Sequence, residues 1–528
     1  MTDARAIAAR PPPLGLVAAA AVAALLVMAP LLTTLVQAAH VGIEHASAVL
    51  FRPLVGRLLF NTLALVAAST VCAGLIGTAA AFVLERTSVP GKRAWSVLVV
   101  APLAVPAFIA SYAWVSLSPN LQDFAGALLV VTASYYPLVY LPVAATLRNM
   151  DPTLEETARS LGCGPWACFV RAVLPHLRPA LFGGMLLVAL NVLVEFGAFS
   201  LLRFRTFTTE IYAEYRTGFN GPEASLLAVI LLAFCFLFLI LEIRLRGGAR
   251  YARIGAGARR QAAPRELGFA LWPVLFGLAA LVVATLGVPL GMIVFWLMQH
   301  AAAATSPIAV SGELLARSAA ASLAFGAAAA ALTLALALPL GYLVTRYRGW
   351  RITLLERAAY LAQGTPAIVV ALALVSLTVH ALRPLYQSAT ALIIAYAILF
   401  LPLALVSVRA VLMQTETRLE EAGRSLGLGW MSVAVRVTLP LAGPGLGAAA
   451  ALAFVSVVTE LTATLILAPI GTQTLATEVW ADTSTLAFAA AAPYAAVMVA
   501  ISLASTWLLA QRFGASAVFG AVKPGFSP

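Results

Sequence analysis

Long apolar runs separated by short polar loops dominate the pattern of this 528-residue chain. A helix of about 20 apolar residues crosses the roughly 30 Å hydrocarbon core of a bilayer. The run at 15–38 is longer than the roughly 7–15-residue apolar core of a secretory signal, so we interpret it as a retained helix. The pattern therefore predicts an all-α integral membrane protein with twelve spans, near residues 15–38, 60–84, 96–117, 121–147, 181–202, 222–243, 269–297, 318–344, 355–379, 387–408, 444–469 and 487–511.

One polar segment occurs twice in this apolar chain. "LEETARSLGCGPWACFVRAVLP" starts at Leu154, and "LEEAGRSLGLGWMSVAVRVTLP" starts 265 residues later, at Leu419. "VPAFIASYAWVSL" from Val105 matches "TPAIVVALALVSL" from Thr365, and "FVLER" at 82–86 resembles "YLVTR" at 342–346, each at an offset of 260. Equivalent segments keep their order, with an even number of spans between them. The pattern thus predicts two parallel six-helix repeats, over 1–243 and 269–528, joined by a basic linker at 244–268.

Composition and charge fit a membrane protein. Apolar residues make up 62% of the chain and charged residues 10%, with a net charge of +12. When both termini are placed in the cytoplasm, most Lys and Arg residues fall on the cytoplasmic side, in agreement with the positive-inside rule. The positive charge therefore needs no nucleic-acid partner. The Gly, Ala and Arg content of 244–268 predicts a flexible cytoplasmic linker, with lipid binding as an alternative role.

The repeated polar segment predicts a helix–turn–helix elbow. Asp151-Pro152-Thr153 is a helix start, and Thr153 to Glu156 has capping-box spacing, as has Thr417 to Glu420. Each short helix then meets Gly162 or Gly427, where the chain can turn, and a second amphipathic stretch is expected to stop at Pro175 or Pro440. We expect these elbows on the cytoplasmic surface, at about 151–180 and 415–443. A plain connector is one interpretation, but duplication in register favours a docking surface for a partner present in two copies.

The same segment carries a family resemblance. Glu156-Thr157-Ala158, then Gly162, then Ala172-Val173-Leu174-Pro175 resembles the "EAA" loop of ATP-binding-cassette importer permeases, and Glu421-Ala422-Gly423 with Gly427 and Val437-Thr438-Leu439-Pro440 repeats it. Thr157 and Gly423 replace alanines of the family pattern. The resemblance implies a coupling helix in each repeat, with these ATPase-docking residues: Glu156, Ala158, Leu161, Gly162, Pro175, Glu421, Gly423, Leu426, Gly427 and Pro440.

The resemblance also implies the assembly. It indicates an import permease of the bacterial inner membrane, with both membrane halves fused in one chain, two copies of a separate ATPase and a periplasmic solute-binding protein. No G-x-x-x-x-G-K-[ST] phosphate loop occurs in the sequence. We therefore expect no enzymatic activity and no bound cofactor in this chain, and ATP and Mg²⁺ to be used by the partner ATPase.

Two acidic residues lie inside predicted spans. Glu195 and Glu460 are 265 residues apart and so occupy the same position in the two repeats. An ionisable residue at mid-span costs about 2.5–3.5 kcal/mol on insertion scales. Asn191 and Ser456 lie four residues earlier, on the same predicted helix face. We interpret the four as part of the translocation path; the alternative is that they hydrogen-bond neighbouring helices. The scattered cysteines and histidines indicate no metal site.

The cargo is predicted from resemblance. The segments 204–219 and 456–485 are similar to external-side regions of ferric-iron permeases, which implies Fe(III) as cargo and transport by alternating access. Thiamine, aminophosphonates and polyamines are alternatives within the same importer class. A 6+6 ion-coupled secondary carrier and a membrane scaffold or sensor are alternatives from other classes. Neither of these requires a duplicated docking elbow together with paired mid-span acids.

Overall fold

The computed structural model describes residues 12–151, 153–247, 265–299 and 312–513. The helices of the first repeat are α1 (Leu14–His40), α2 (Ile43–Leu50), α3 (Pro53–Arg86), α4 (Lys92–Val100), α5 (Ala107–Leu117), α6 (Phe124–Tyr135), α7 (Pro137–Asn149), α8 (Thr153–Ser160), α9 (Pro165–Cys168), α10 (Leu174–Val194), α11 (Gly197–Leu201), α12 (Phe207–Arg216) and α13 (Gly221–Gly247). Most of the predicted basic linker, at 248–264, lies outside the described residues.

The second repeat follows the same order. Its helices are α14 (Leu271–Val282), α15 (Val288–Met298), α16 (Gly312–Arg346), α17 (Trp350–Tyr360), α18 (Ala367–His380), α19 (Ala389–Gln414), α20 (Thr417–Ser425), α21 (Trp430–Val433), α22 (Leu439–Val458), α23 (Thr462–Leu467), α24 (Leu475–Ser484) and α25 (Phe488–Phe513). Within the described residues the fold is all-α apart from one isolated bridge between Thr87 and Arg265.

In the described part of the chain, ten helical segments are long and apolar enough to span a membrane, and two sharply bent pairs raise the number to as many as twelve. The bent pairs correct the continuous helices predicted at 96–117 and 355–379. They are Lys92–Ala104 with Ala107–Leu117, bent by 93°, and Trp350–Gly364 with Ala367–His380, bent by 109°. Val105 and Thr365 are extended at the two breaks, because each precedes a proline that disfavours helical geometry.

The helices after each elbow also differ from the prediction. They run over Trp166–Val194 and Trp430–Val458, whereas spans were predicted at 181–202 and 444–469. Pro175 and Pro440 do not stop them, because a π-helical turn lies directly before each, at Phe169–Val173 and Ala434–Thr438. Proline lacks an N–H, and such a π turn inserts one residue into the hydrogen-bond ladder. The second helix of each elbow and the following span thus form one continuous helix.

The first span of each repeat packs against the other repeat. Leu16, Ala20 and Val27 of α1 share an apolar core with α16, α19 and α22 of the second repeat. In return, Leu286 and Ile293, just before and within α15, share a core with Tyr112 of α5. The two repeats are therefore interlocked and do not form two separate six-helix bundles.

Gln37 of α1 makes hydrogen bonds to both repeats. Its Nε2 donates a hydrogen bond to Ser376 Oγ of α18, and its Oε1 accepts one from Ser225 Oγ of α13 at 2.8 Å. One side chain therefore links α1 to helices of both repeats.

Candidate functional site

The two elbows have the same turn. In the first, Gly162 has φ +80°, Gly162 N donates to Arg159 O at 2.9 Å, and Cys163 N donates to Ala158 O at 3.1 Å. In the second, Gly427 has φ +87°, and Leu428 N donates to Gly423 O at 3.2 Å. This helix-ending motif needs a left-handed residue, a conformation that glycine adopts without steric cost. The predicted turns at Gly162 and Gly427 are confirmed.

The predicted capping boxes are wrong. Thr153 and Thr417 are the first residues of α8 and α20, and neither is a cap. The first elbow is capped by Asp151 instead, whose Oδ1 accepts a hydrogen bond from Thr153 N at 3.0 Å. This bond lowers the pKa of the Asp151 carboxyl below its usual value. In the second elbow Glu416 is the cap residue, and its side chain makes no capping bond.

The proposed docking residues are unevenly exposed. Leu161 and Leu426, at the tips of the turns, are 79% and 82% exposed. Gly423 instead is buried, with Val433 and Val437 packed against its Cα. The other predicted docking residues fall into an exposed set (Glu156, Gly162, Gly427 and Pro440) and a half-buried set (Ala158, Pro175 and Glu421).

Exposed apolar side chains extend both tips, and the sequence analysis missed them. Trp166 is 76% and Val170 39% exposed, and their equivalents 265 residues later, Met431 and Val435, are 56% and 52% exposed. With Leu161 and Leu426 they make two matching apolar patches beside the turns. The signal was available, because each trio recurs at the same offset on the repeated segment.

A buried ion pair under each elbow was also missed. Arg86 Nε lies 2.9 Å from Glu155 Oε1, and Arg346 Nη2 lies 2.8 Å from Glu420 Oε1. Each pair joins the end of a long span, α3 or α16, to the elbow helix. The glutamates are the first of the two in each Leu-Glu-Glu, so the buried residue directly precedes the predicted Glu156 or Glu421.

Among the described residues, no buried side-chain atom of the second ion pair lacks a hydrogen-bond partner. Arg346 Nη2 donates to Thr415 Oγ1 at 2.7 Å. Glu420 accepts hydrogen bonds from Tyr342 OH and Thr438 Oγ1, both at 3.1 Å. The carboxylate and the guanidinium are therefore both satisfied although they are almost completely buried.

Glu195 and Glu460 lie where their spans end. Both follow the last residues of α10 and α22, and are not within helices as predicted. Glu195 Oε1 accepts a hydrogen bond from Ala198 N at 2.9 Å, and Glu460 Oε1 accepts one from Ala463 N at 3.1 Å. Each carboxylate thus satisfies an amide of the short helix that follows. Tyr135 OH donates a 2.5 Å hydrogen bond to Glu195 Oε2, whereas the equivalent of Tyr135 in the second repeat is Ala395.

The two glutamate segments face each other across the repeats. Gly197 packs on Leu461, so closely that a Cβ at Gly197 would lie 2.9 Å from Leu461 Cδ2. Farther along, Trp480 Nε1 donates to Ser200 Oγ at 3.1 Å. Asn191 and Ser456 hydrogen-bond the backbone of their own helices, to Leu187 O and Leu452 O. The breaks after the two spans therefore form part of the contact between the repeats.

Comparison with known proteins places this architecture. A family model described as binding-protein-dependent transport system inner membrane component matches residues 73–245 and 337–512. The chain belongs to this family. Both elbows and both glutamates lie within the matched stretches, whereas α1, α14 and α15, which cross between the repeats, lie outside them.

One relative matches nearly the whole chain, and others match less than half of it. The chain is 38% identical over 481 residues to the Fe(3+)-transport system permease protein FbpB 2 of Haemophilus influenzae, covering 91% of this chain and 94% of the relative. It is 28% identical to the sulfate transport system permease protein CysT of Escherichia coli, over 43% of this chain and 90% of CysT. The molybdenum transport system permease protein ModB of E. coli is 27% identical, over 34% of this chain and 86% of ModB. The shorter relatives thus correspond to less than half of this chain.

Proposed function

We propose that this chain is the permease subunit of an ATP-driven importer that moves Fe(III) from a periplasmic binding protein into the cytoplasm. The observation that carries the proposal is the 38% identity to an Fe(3+)-transport permease over 91% of this chain and 94% of that relative. The elbow side is the cytoplasmic side in this account, and both termini lie in the cytoplasm of a bacterial inner membrane.

Glu195 and Glu460 favour a cation over an oxyanion as cargo. The relatives named for sulfate and for molybdenum transport match only 43% and 34% of this chain. Glu195 and Glu460 place two carboxyl groups at the contact between the repeats. Two carboxylates there would attract a cation and repel sulfate or molybdate. Thiamine and polyamines, which are also cationic, remain alternative cargoes that the uptake experiment distinguishes.

The elbows are the proposed docking surface for two ATPase copies, which bind ATP and Mg²⁺. Each presents an exposed apolar trio beside a glycine turn, Leu161, Trp166 and Val170 in one repeat and Leu426, Met431 and Val435 in the other. Isolated exposed apolar residues are ordinary, but a repeated patch indicates a binding surface. The buried Arg86–Glu155 and Arg346–Glu420 pairs link these surfaces to α3 and α16. Closure of the ATPase dimer on ATP would therefore shift the spans and favour the outward-open state.

The docking hypothesis is tested by charge at the tips of the turns. Leu161→Asp with Leu426→Asp places a carboxylate in each apolar patch at residues 79% and 82% exposed, so the fold is expected to persist. We expect the double variant to insert in the membrane but to copurify with at least tenfold less ATPase. Ile470→Asp, at an 85% exposed residue in another loop, is the matched control and is expected to retain full copurification. Undiminished ATPase recovery with the double variant would refute docking at these patches.

A further inference from the structure

The first elbow contains a cavity with a positively charged lining, beside the Arg86–Glu155 pair that links the elbow to α3. The cavity has about 350 Å³ of space, including the part open to solvent, and lies between the end of α3, the elbow and the start of the second repeat. Three arginines and one glutamate are among its lining residues: Arg86, Arg159, Arg265 and Glu155. The charged lining is therefore positive overall.

The corresponding place in the second repeat has no unmet hydrogen bonds. There, Tyr342, Thr415 and Thr438 complete the bonds of the Arg346–Glu420 pair. Sequence alignment of the repeats puts apolar residues at all three positions of the first repeat: Phe82, Met150 and Val173. Met150 and Thr415 each follow the last residue of the preceding span, with nearly the same backbone angles. The difference is therefore one of side-chain chemistry and not of backbone path.

The first pair lacks these hydrogen bonds, although Arg159 Nη2 also lies 3.6 Å from Glu155 Oε2. Arg86 is only 7% exposed, and among the described residues its Nη2 has no hydrogen-bond partner. Its Nε contacts Glu155 Oε1 at 2.9 Å but is not aligned for a hydrogen bond, and that oxygen has no other partner in the described chain. A buried guanidinium N–H that loses water without gaining an acceptor is costly. Arg86 Nη2 therefore lacks an acceptor among the described residues at this cavity.

Arg265 closes the cavity and has no counterpart in the other repeat. Its backbone N donates to Arg86 O at 2.9 Å, and its backbone O accepts from Ser88 N at 3.0 Å. This short pairing holds the chain at the start of the second repeat beside the end of α3 and places Arg265 in the lining. A third arginine is thus held at the cavity by backbone bonds.

We propose that this cavity binds a phosphate-class oxyanion. Guanidinium groups donate in a planar fork that matches phosphate geometry, and such charge-assisted bonds are strong. The anion would accept from Arg86 Nη2, the buried donor that lacks a partner, and from Arg159 and Arg265 at the more open side. Bound there, it joins α3, the first elbow and the start of the second repeat. In the second elbow, the described ion pair already has protein hydrogen-bond partners, so the anion acts on the first elbow.

The proposal is tested by calorimetric titration of the purified full-length chain with inorganic phosphate, in a maltoside detergent at low ionic strength. We expect saturable binding of about one phosphate per chain. Arg265→Gln removes one lining charge, while the backbone bonds that hold this segment remain. It should weaken binding at least tenfold. Arg171→Gln is the matched control, because Arg171 is an exposed arginine of the same elbow that does not line the cavity; it should bind as the parent chain does.

A second variant distinguishes specific phosphate binding at this cavity from non-specific attraction of phosphate by positive charge. Met150→Thr with Val173→Thr gives the first ion pair the partners that Thr415 and Thr438 supply in the second, without altering net charge. It should weaken phosphate binding at least tenfold and raise the thermal stability of the phosphate-free protein. The absence of saturable phosphate binding by the parent chain, or binding by this variant equal to that of the parent, would overturn the proposal.

Nanodiscs distinguish the source of the anion. If the natural ligand is a lipid headgroup, phosphatidylglycerol in the disc should compete with inorganic phosphate, whereas a phosphatidylcholine disc should not. If the ligand is a free phosphate, both discs should leave phosphate binding unchanged. Either pattern is a form of the proposed site.

Discussion

At the scale of single residues, Glu195 and Glu460 mark where a span stops being helical. Each carboxylate accepts a backbone amide from the next short helix, Ala198 N or Ala463 N. Breaking a helix inside a membrane exposes backbone groups that lipid cannot satisfy. The acids therefore have a structural task at the break and, when ionised, an electrostatic one at the contact between the repeats.

Substituting both glutamates by glutamine, or both by alanine, separates the structural task from the electrostatic one. Glu195→Gln with Glu460→Gln keeps an acceptor oxygen at each break but removes the charge. We expect this double variant to unfold at the parent temperature in detergent while Fe(III) uptake falls about tenfold, since an attraction of about 1.4 kcal/mol is lost. Glu195→Ala with Glu460→Ala also removes the caps, each worth about 1 kcal/mol, and should lower the unfolding temperature as well.

Full uptake by the glutamine variant would limit both acids to the structural task. Ser407→Ala is the control, because it removes an exposed hydroxyl of α19 that bonds the backbone of its own helix at Leu403 O. It should change neither the unfolding temperature nor uptake.

The sequence identified the position of the paired acids but not which elbow glutamates are buried. Glu195 and Glu460 stand out because an ionisable residue in an apolar run is rare and the offset repeats. In Leu-Glu-Glu, however, two identical residues are adjacent, and which one turns inward depends on where Arg86 or Arg346 ends its span. That information lies in the packing of α3 and α16 and not in the elbow itself.

At the scale of elements, prolines at repeated positions have opposite effects. Pro106 and Pro366 stand at breaks of 93° and 109°, because the residue before each is extended. Pro175 and Pro440 lie within continuous helices, because a π turn precedes each. Proline content alone predicts neither outcome. The sequence analysis therefore placed the elbows and most spans, but took bent spans for straight ones and continuous helices for broken ones.

The ion pairs under the elbows predict unequal sensitivity. Glu420→Gln removes the charge that faces Arg346 in a fully bonded, buried network, and breaking such a pair costs about 3–5 kcal/mol. Glu155→Gln acts on a pair that already lacks hydrogen bonds and borders an open cavity, so the loss should be smaller. Thermal unfolding of the two variants in detergent without phosphate should show the larger drop for Glu420→Gln.

Glu416→Gln is the control for this comparison, because Glu416 is an exposed carboxylate on the same elbow as Glu420. It should unfold with the parent chain. Equal destabilisation by Glu155→Gln and Glu420→Gln would show that the two elbows are anchored alike and would contradict the asymmetry described above.

At the scale of the whole molecule, the two repeats are parallel but interlocked. α1 packs on the second repeat, and the segment containing α15 packs on the first. The order of apolar runs predicts how many spans exist and that they repeat. It cannot predict which bundle a span joins, because an apolar helix face can pack against any other apolar helix face. Crossing spans make the chain one mechanical unit, in which motion at either elbow must reorganise the contact that contains Glu195 and Glu460.

The most direct test of the central claim is uptake of labelled Fe(III) into proteoliposomes that contain this chain, its ATPase and its binding protein, with and without ATP. The account predicts Fe(III) accumulation only with ATP and the binding protein together. The Leu161→Asp with Leu426→Asp variant should abolish it. ATP hydrolysis stimulated by the binding protein without Fe(III) uptake would assign a different cargo, such as thiamine or a polyamine. Accumulation driven by an ion gradient without ATP or an ATPase would contradict the account.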